Sequence, residues 1–257
     1  MAEQGKYIYC IIDADGERSF GNIGIGSDSP EVAATHYKDI AAMISDSPII
    51  KYRINREHTM AHQCVAEAAM QEHTVLPVRY GTIAKTEKLI QRVLERRYQE
   101  FKDTLLQMQD KNEMGVKVIW KQEAMYDEIL NENEGIRTLR DELARSSLPP
   151  ERTHWQRVKI GEMVEAAMDA KREREADKVV AGLKRYCVDY QINRNLLDRM
   201  VLNAAFLVEE EKERQFDEKI EALDAVNSHR LDIKYIGPVV PYNFITIVIN
   251  LTELGIE

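Results

Sequence analysis

Residues 61–84 read AHQCVAEAAMQEHTVLPVRYGTIA, a helix-forming stretch that runs directly into an extended one. Asn55 is a suitable N-cap for the helix, which we expect to end near Glu72. Small residues at three- and four-residue spacing predict a face that packs closely against a sheet or another helix, formed by Ala61, Cys64, Val65, Ala68 and Ala69. The following TVLPVRYGT, 74–82, predicts a strand, and Pro77 restricts that strand to a sheet edge or a bulge.

The residues on the N-terminal side predict the rest of a small sheet. KYIYCII, 6–12, is rich in Tyr and Ile, and the Asp15-Gly16 pair that follows favours a turn. Residues 19–25 and 37–44 are predicted partner strands. On the C-terminal side, one amphipathic helix is predicted from Thr86 to about Met108, and the chain then breaks its pattern before Gly115.

The second half predicts alternating strands and helices. Strands are predicted over 115–121, 200–208, 230–237 and 243–251. Helices are predicted over 123–132, 134–145, from Thr153 toward Tyr186, and over 209–226. This order favours an α/β sandwich that resembles a modified ferredoxin-like layout. We therefore expect an α/β chain of the α+β kind in two domains. The N-terminal domain, 1–114, holds a mixed sheet with helices, and the C-terminal ferredoxin-like domain, 115–257, has long helices and a C-terminal extension.

The long helix of the second half is predicted to begin after a linker, 146–150. Thr153 and Gln156 have the spacing of a capping box. Its inward face is predicted to consist of Trp155, Val158, Met163, Val164, Ala167 and Met168. The segment 169–178, DAKREREADK, is charged all round and is expected to project into solvent or against a partner.

Composition excludes several classes of partner. The formal net charge is −9, and acidic residues outnumber basic ones in both halves of the chain. A uniformly acidic surface disfavours nucleic acid and anionic membranes, which both attract Lys and Arg. The apolar-rich stretch 235–251 contains two prolines and is too broken for a membrane span. With no signal-peptide layout, and with Cys10, Cys64 and Cys187 read as buried reduced thiols, the chain is expected to be cytoplasmic.

Two loops resemble ligand-binding motifs only superficially. Residues 21–26 have the spacing G-x-x-G-x-G, whereas a dinucleotide loop needs G-x-G-x-x-G between a strand and a helix. A calcium loop starting at Asp13 would need a glutamate twelve positions along, where Gly24 stands. A glycine-loosened strand and a plain turn are the favoured interpretations.

His58 and His62 lie four residues apart and could share a zinc ion. A third ligand would be required, with His73 or Glu72 nearest in the sequence. Thr59 stands where a metallopeptidase needs its glutamate. Histidines that pack on a helix face are therefore the favoured interpretation. With no G-x-S-x-G elbow and no cysteine next to an activating histidine, we predict no catalytic residue, no cofactor site and no metal site.

Three segments resemble the gas vesicle protein F/L family. The first is residues 61–84, where a His-containing helix leads into the block T-V-L-P-x-R-[FY]-G-T. The second is YIYCII together with DIAAMIS. The third is IGPVVPYNF, 236–244, which is similar to the family's closing G-P-W-P-P-Y-x-F, with Val239 and Val240 in place of the aromatic residue and proline. The candidate motif or partner-contact residues are Thr74, Pro77, Arg79, Tyr80, Gly81, Thr82, Gly237, Pro238, Pro241, Tyr242 and Phe244.

The resemblance implies a non-enzymatic accessory protein of gas vesicle assembly. Its expected partners are the hydrophobic shell protein, which it would keep from aggregating during nucleation, and other gas vesicle accessory proteins. It would also be a minor vesicle component. Candidate docking features are the sheet edges 74–82 and 243–251 and a groove between long helices. The alternatives are a scaffold that links accessory proteins through 169–178, and a small enzyme with a polar pocket that joins His58, His62 and Arg79 to a carboxylate.

Overall fold

The structure is a computed structural model that describes residues 3–16, 18–26, 28–146, 149 and 151–250. Over these ranges it contains two sheets and seven α-helices, so the predicted mixed α/β class is confirmed. The chain divides into two compact units. The first unit contains the chain up to Glu113 together with the segment that starts at Pro238, and the second unit is Met114–Gly237. The predicted domains, 1–114 and 115–257, stay a prediction about which parts fold independently.

The first unit is built on a five-stranded sheet. Its strands are β1 (Gln4–Ile12), β2 (Val32–Tyr37), β3 (Ile40–Pro48), β4 (Val75–Pro77) and β5 (Ile83–Ala84). The order is β2-β3-β1-β4, β5 also pairs with β1, and all these pairings are antiparallel. Strand β1 is fully buried from Tyr7 to Ile12, as expected for a central strand that is covered on both faces.

The sequence prediction for the hairpin between β2 and β3 was wrong. Residues 19–25 form no strand, and Ser19 makes a single bridge to Ala33. The predicted strand 37–44 crosses the two-residue turn between β2 and β3. Lys38 takes a φ of 53° in this turn, a conformation that the sequence does not signal because no glycine or asparagine is present. Asp39 is held by the Tyr98 hydroxyl and the Lys102 ammonium group, both 2.6 Å away.

Three helices complete the first unit: α1 (Arg56–Met70), α2 (Glu87–Arg96) and α3 (Tyr98–Met108). Asn55 caps α1 as predicted, since its side chain accepts a hydrogen bond from the His58 N–H at 2.8 Å. The predicted single helix from Thr86 to Met108 is wrong, because the backbone breaks at Arg97. There the Arg97 guanidinium pairs with Glu100 and donates to the Val248 carbonyl.

The buried face of α1 differs from the predicted one by a small rotation. His62, Val65, Ala66 and Ala69 are buried, whereas Cys64 is exposed. The prediction of a buried thiol is therefore wrong for Cys64, correct for Cys10, and only partly met by the half-buried Cys187. Small apolar residues cover most of α1, so their spacing alone does not select the inward face.

The second unit has the ferredoxin-like arrangement. Its strands are β6 (Lys111–Trp120), β7 (Asp189–Ile192), β8 (Met200–Glu209) and β9 (Leu231–Val239). Its helices are α4 (Gln122–Glu132), α5 (Glu134–Arg145), α6 (His154–Leu183) and α7 (Glu210–Asn227), and a short 3-10 turn spans Lys184–Tyr186. The sheet order β7-β8-β6-β9 is the second, third, first and fourth strand in chain order, which is the ferredoxin-like layout. Strand β7 was not predicted from the sequence.

The predicted inward face of helix α6 is partly correct, since Met163, Val164, Ala167 and Met168 are half-buried. Trp155 is 79% exposed and Val158 is also exposed, so their predicted inward orientation is wrong. Lys171 and Glu175, from the segment predicted to project outward, are buried instead. Thr153 is the N-cap residue, but its side chain makes no capping hydrogen bond and accepts one from Arg157.

An ion network explains the burial of those charges. The Lys171 ammonium lies 2.9 Å from Glu128 and also pairs with Glu132, both on α4. Glu175 pairs with Arg230, whose guanidinium also contacts Glu128 at 3.3 Å. Each buried charge therefore has opposite charges within contact distance, which offsets its desolvation cost. Glu132 lies 39 residues from Lys171 in the sequence, and Arg230 lies 55 residues from Glu175.

The predicted terminal strand, 243–251, is wrong over the part that the structure describes, 243–250. These residues form no strand, and Ile247 makes a single parallel bridge to Val78. Residue 251 lies outside the described residues, as do Ser147, Leu148 and Pro150 of the predicted linker. No helix among the described ranges is long and apolar enough to span a bilayer.

The turn between β4 and β5 requires a glycine. Gly81 has a φ of 79°, and its N–H donates a hydrogen bond of 2.8 Å to the Tyr7 hydroxyl. A Cβ at this position would meet open space, so the cost of a side chain comes from the backbone conformation.

We expect Gly81→Ala to lower the free energy of unfolding by about 1–2 kcal/mol, since a left-handed conformation disfavours any residue with a Cβ. Urea titration of the purified chain measures this loss. Gly161→Ala is the matched control, because Gly161 lies inside α6 with open space around it. That change is expected to raise stability by about 0.5–1 kcal/mol. If the two substitutions changed stability equally, the left-handed backbone at Gly81 would not be what requires a glycine there.

Candidate functional site

The first of the three segments that carry the family resemblance, 61–84, pairs in the first unit with residues that directly follow the third segment, 236–244. The Ile247 N–H donates to the Pro77 carbonyl at 2.8 Å, and the Arg79 N–H donates to the Ile247 carbonyl at 2.9 Å. The edge of β4 is therefore covered by the segment that follows Tyr242. The two sheet edges predicted as docking sites, 74–82 and 243–251, pair with each other over these residues and do not offer an open edge there.

A pocket of about 270 Å³ lies where these segments pack against α1. It is lined by Ile54, Thr59, His62, Gln63, Val78, Arg79, Tyr80, Tyr242 and Thr246. We call it the histidine pocket. Its walls are largely aromatic: the His62 ring centre lies 5.6 Å from that of Tyr80 and 6.3 Å from that of Tyr242.

His62 is held in one tautomer by a chain of hydrogen bonds. Its side chain is buried, with the residue only 3% exposed, and Nδ1 lies 3.1 Å from the Tyr7 hydroxyl. That hydroxyl already accepts a hydrogen bond from the Gly81 N–H. Burial raises the pKa of Tyr7, so its proton stays in place and is donated to Nδ1. The proton of the neutral imidazole is therefore on Nε2.

Burial lowers the pKa of His62 to about 4. The Val78 carbonyl acts in the opposite direction, but no hydrogen bond of acceptable geometry reaches Nε2 from any residue that the structure describes. The Tyr242 hydroxyl is likewise buried and without a partner in that part of the chain. Burial raises the pKa of Tyr242, so this group also keeps its proton. Two buried donors therefore lie in one pocket, one without a partner and one with only the weakly placed Val78 carbonyl.

We expect His62 to make stability depend on acidity. Its pKa is about 4 in the folded chain and 6.5 in the reference state, so the unfolded chain binds a proton first as pH falls. The contribution is complete above pH 6.5 and is lost on going down to pH 4. Between about pH 7.5 and 4.5 the native chain should lose about 2–3 kcal/mol relative to a His62→Gln chain. Urea unfolding of both chains at each pH gives this difference.

Other groups titrate in the same range, and the comparison of the two chains removes their effect. The pKa of Glu113 is raised by burial, which strengthens folding as pH falls and so opposes His62. A difference between the native and His62→Gln chains that stays constant from neutral to acidic pH would contradict a buried neutral His62.

The motif residues of the first block have assigned contacts. The Thr74 N–H donates to Asp13, the Tyr80 hydroxyl donates to the Arg53 carbonyl, and the Thr82 hydroxyl donates to the Arg79 carbonyl. Pro77 lies at the end of β4, at the sheet edge that its missing N–H requires. The Arg79 side chain is exposed, so it does not need the buried partner that a buried guanidinium would.

The residues of the segment 236–244 lie partly on β9 and partly after it. Gly237 and Pro238 lie exposed near the end of β9, an edge strand. Pro241 is buried and accepts hydrogen bonds from the Phe244 and Ile245 N–H groups, and Phe244 is half-buried. Only Tyr242 of this block lines the histidine pocket. Val240, which departs from the family pattern, is fully buried in the core of the first unit.

The features that would mark an enzyme are incomplete in this pocket. His62 and Arg79 both line it, but His58 does not, and its lining contains neither Asp nor Glu. No group of three or more His, Cys, Asp or Glu residues among the described residues could hold a metal ion. Sequence reasoning also missed Tyr7 and the burial of His62, because the two residues are 55 positions apart and only the fold brings them together.

A larger groove lies in the second unit, with a volume of about 670 Å³. It is lined by residues of α4, α6 and the turn before β8: Gln122, Met125, Tyr126, Gly161, Val164, Glu165, Met168, Asp169, Arg172, Leu197, Asp198 and Arg199. We call it the α4/α6 groove. Tyr126 is 48% exposed and Leu197 is 52% exposed, and Leu196 and Val158 add further exposed apolar surface.

Charged groups line the edges of this groove. The Arg172 guanidinium pairs with Asp169 and donates to the Asp198 carbonyl at 2.7 Å. Its Nε is buried and has no partner among the residues that the structure describes. The groove thus combines an apolar strip with polar and charged side chains, which make up half of its lining residues.

Comparison with known proteins gives consistent matches over most of the chain. The family model described as "Gas vesicle synthesis protein GvpL/GvpF" matches residues 5–246. Gas vesicle protein F from a Streptomyces species is 30% identical over 222 residues, 86% of this chain and 91% of that protein. Gas vesicle protein F2 from Halobacterium salinarum is 25% identical over 256 residues, 98% of this chain and 97% of that protein. The crystal structure of gas vesicle protein GvpF from an Anabaena species has the same fold, with a TM-score of 0.79 at 23% identity, covering 95% of this chain and 99% of that one.

Proposed function

Because the chain belongs to the gas vesicle synthesis protein GvpL/GvpF family, we propose that it binds the hydrophobic shell protein of the vesicle and keeps it from aggregating during nucleation. The family that the sequence motifs indicated is confirmed, and with it a part in gas vesicle formation. The proposed role is that of an accessory protein without a catalytic step. It acts at the growing vesicle and can stay there as a minor component.

The physical need for such a protein follows from the chemistry of the shell. A subunit that builds an apolar-lined wall exposes apolar helices and unpaired strand edges before it is assembled. Those surfaces associate with one another unless another chain covers them. A covering chain needs an apolar groove or an open sheet edge of its own.

The α4/α6 groove is the observation that supports this role. Its exposed Tyr126 and Leu197 side chains, together with Met125, Val164 and Met168, form an apolar floor between two helices. Methionine side chains adapt to partners of different shape. Such a groove suits an amphipathic helix of the partner, which presents both an apolar and a polar face.

Strand β7 adds a second apolar feature in the same unit. It is an edge strand, all four of its residues are exposed, and Ile192 presents an apolar side chain to solvent. Two of the three predicted docking features, the edges 74–82 and 243–251, pair with each other and are not available to a partner where they pair. The predicted groove between long helices is the one we retain for the shell protein.

The direct test is a suppression assay. Purified shell protein is diluted from denaturant, and its light scattering is followed with and without an equimolar amount of this chain. We expect the chain to reduce the scattering at least about tenfold and to elute with the shell protein on size exclusion. Unchanged scattering with separate elution would overturn the proposed role.

The scaffold alternative receives less support. Lys171 and Glu175, the central charges of 169–178, are used inside the second unit by Glu128, Glu132 and Arg230. Charges that are already paired and buried are poorly suited to recruit further accessory proteins.

A further inference from the structure

We propose that the histidine pocket binds an apolar side chain of a partner polypeptide that has a carboxylate group directly beside it. The proposal goes beyond the binding of the shell protein, since it concerns a different surface in the first unit. It rests on the size of the pocket, on its two buried donors, and on a cation at its lining.

The size of the pocket selects the ligand class. A volume of about 270 Å³ is below the roughly 300–1,000 Å³ of sites that hold drug-sized molecules and cofactors. It matches one large side chain. Because Ile54, Val78 and the rings of Tyr80 and Tyr242 line it, that side chain is apolar. One buried anchor of this kind is typical of peptide recognition.

The polar groups of the pocket select an acceptor. The hydroxyl proton of Tyr242 is buried and has no partner among the described residues, and the buried Nε2 proton of His62 has only the Val78 carbonyl nearby, outside good hydrogen-bond geometry. Leaving buried donors unpaired destabilises a folded chain, and a ligand oxygen would relieve this cost. Both groups hold their protons near neutral pH, so the site favours a carbonyl or carboxylate oxygen over another donor.

Arg79 favours a negatively charged acceptor. Its exposed guanidinium lines the pocket and makes no ion pair or side-chain hydrogen bond within the part of the chain that the structure describes. No Asp or Glu lines the pocket to neutralise it. A carboxylate can form two parallel hydrogen bonds with one guanidinium, which adds geometric specificity to the charge attraction. An apolar residue at a chain end, or one next to Asp or Glu, brings both groups together.

The test uses three fluorescein-labelled peptides and anisotropy titration of the whole chain. One ends in Gly-Ser-Phe with a free carboxylate, one ends in the corresponding amide, and one has Phe-Asp inside the peptide and an amide end. We expect the free-carboxylate peptide, the Phe-Asp peptide or both to bind at least about tenfold more tightly than the amide. Whichever of the two binds identifies the source of the carboxylate.

Two variants assign the binding to the pocket. Arg79→Met should weaken the carboxylate peptides about tenfold, and Tyr242→Phe should weaken them about fivefold by removing one hydrogen bond. Arg92→Met is the matched control, because Arg92 is an exposed arginine of the same unit that does not line the pocket. Its affinity should equal that of the native chain. In NMR spectra, the bound peptide should shift the His62 ring signals.

Three results would overturn the proposal. They are equal affinity for the amide and the carboxylate peptides, equal affinity of the native and Arg79→Met chains, and no binding of any peptide up to about 1 mM. None of these results bears on the suppression assay, because that assay uses the shell protein and the α4/α6 groove. Failure of one proposal is therefore distinguishable from failure of the other.

Discussion

A chain that carries Tyr126→Asp and Leu197→Asp is expected to retain the shell protein at least about tenfold more weakly than the native chain. Both side chains are about half exposed and line the α4/α6 groove, so the substitutions place two charges where the partner's apolar surface would lie. Burying an unpaired carboxylate in such a contact costs several kcal/mol. Immobilised native and variant chains, exposed to the same shell protein, give the ratio directly.

Val226→Asp is the control for this experiment. Val226 is 71% exposed on α7 and does not line the groove, so this control places one carboxylate, against two in the groove variant, on an apolar surface residue of the same unit. Circular dichroism should show native helix content for both chains. If the groove variant and the control retained equal amounts of shell protein, the groove would not be the contact surface.

Removing the central cation of the ion network should have the largest effect on stability. Lys171→Ala leaves the Glu128 and Glu132 carboxylates without the ammonium group that lies between α4 and α6. Glu128 keeps Arg230 and Glu132 is 46% exposed, so neither carboxylate is left buried and unpaired, and we expect the free energy of unfolding to fall by about 1.5–3 kcal/mol. Urea titration followed by circular dichroism measures the change.

Lys178→Ala provides the matched comparison. Lys178 also pairs with a member of the network, Glu175, but its own side chain is 69% exposed. Exposed pairs contribute little, so this substitution should change stability by less than about 0.5 kcal/mol. Losses of equal size for Lys171→Ala and Lys178→Ala would contradict the view that burial of Lys171 makes the network important.

The local elements of this fold were predictable because their signals are local. Asn55 and Thr86 begin helices through side-chain caps that lie three residues from the N–H groups they satisfy. The Tyr- and Ile-rich β1 and the apolar β8 have strand composition over their whole length. The ferredoxin-like order of the second unit followed from the order of these elements even though β7 was missed.

The hairpin between β2 and β3 was missed because its support is distant. The turn contains Lys38 and Asp39, and Asp39 is held by Tyr98 and Lys102, about 60 residues later. Asp39 alone is a weak turn signal, because neither glycine nor asparagine accompanies it. The predicted strand 243–251 has a local strand signal without a partner strand. Its alternating apolar residues are typical of a strand, but Val78 is the only bridge partner found among the described residues.

The burial of charged side chains was also not predictable, because their partners are distant in the sequence. Lys171 and Glu175 are indistinguishable by composition from the solvated charges beside them, and their partners lie on α4 and after α7. In the candidate site, some residues were predicted from local motifs, and others depend on distant contacts. Arg79, Tyr80 and Tyr242 were selected from the motifs, whereas the buried tautomer of His62 depends on Tyr7, 55 residues away.

Site-specific photo-crosslinking tests the central claim, that the shell protein lies in the α4/α6 groove, most directly. A photoreactive phenylalanine replaces Leu197 in the groove, Val226 on α7, or Leu106 on the first unit, all exposed apolar positions. Each chain is irradiated while it is co-expressed with the shell protein. We predict a crosslinked product from position 197 and none from 106 or 226. Crosslinking from position 106 or 226, with none from 197, would contradict the claim.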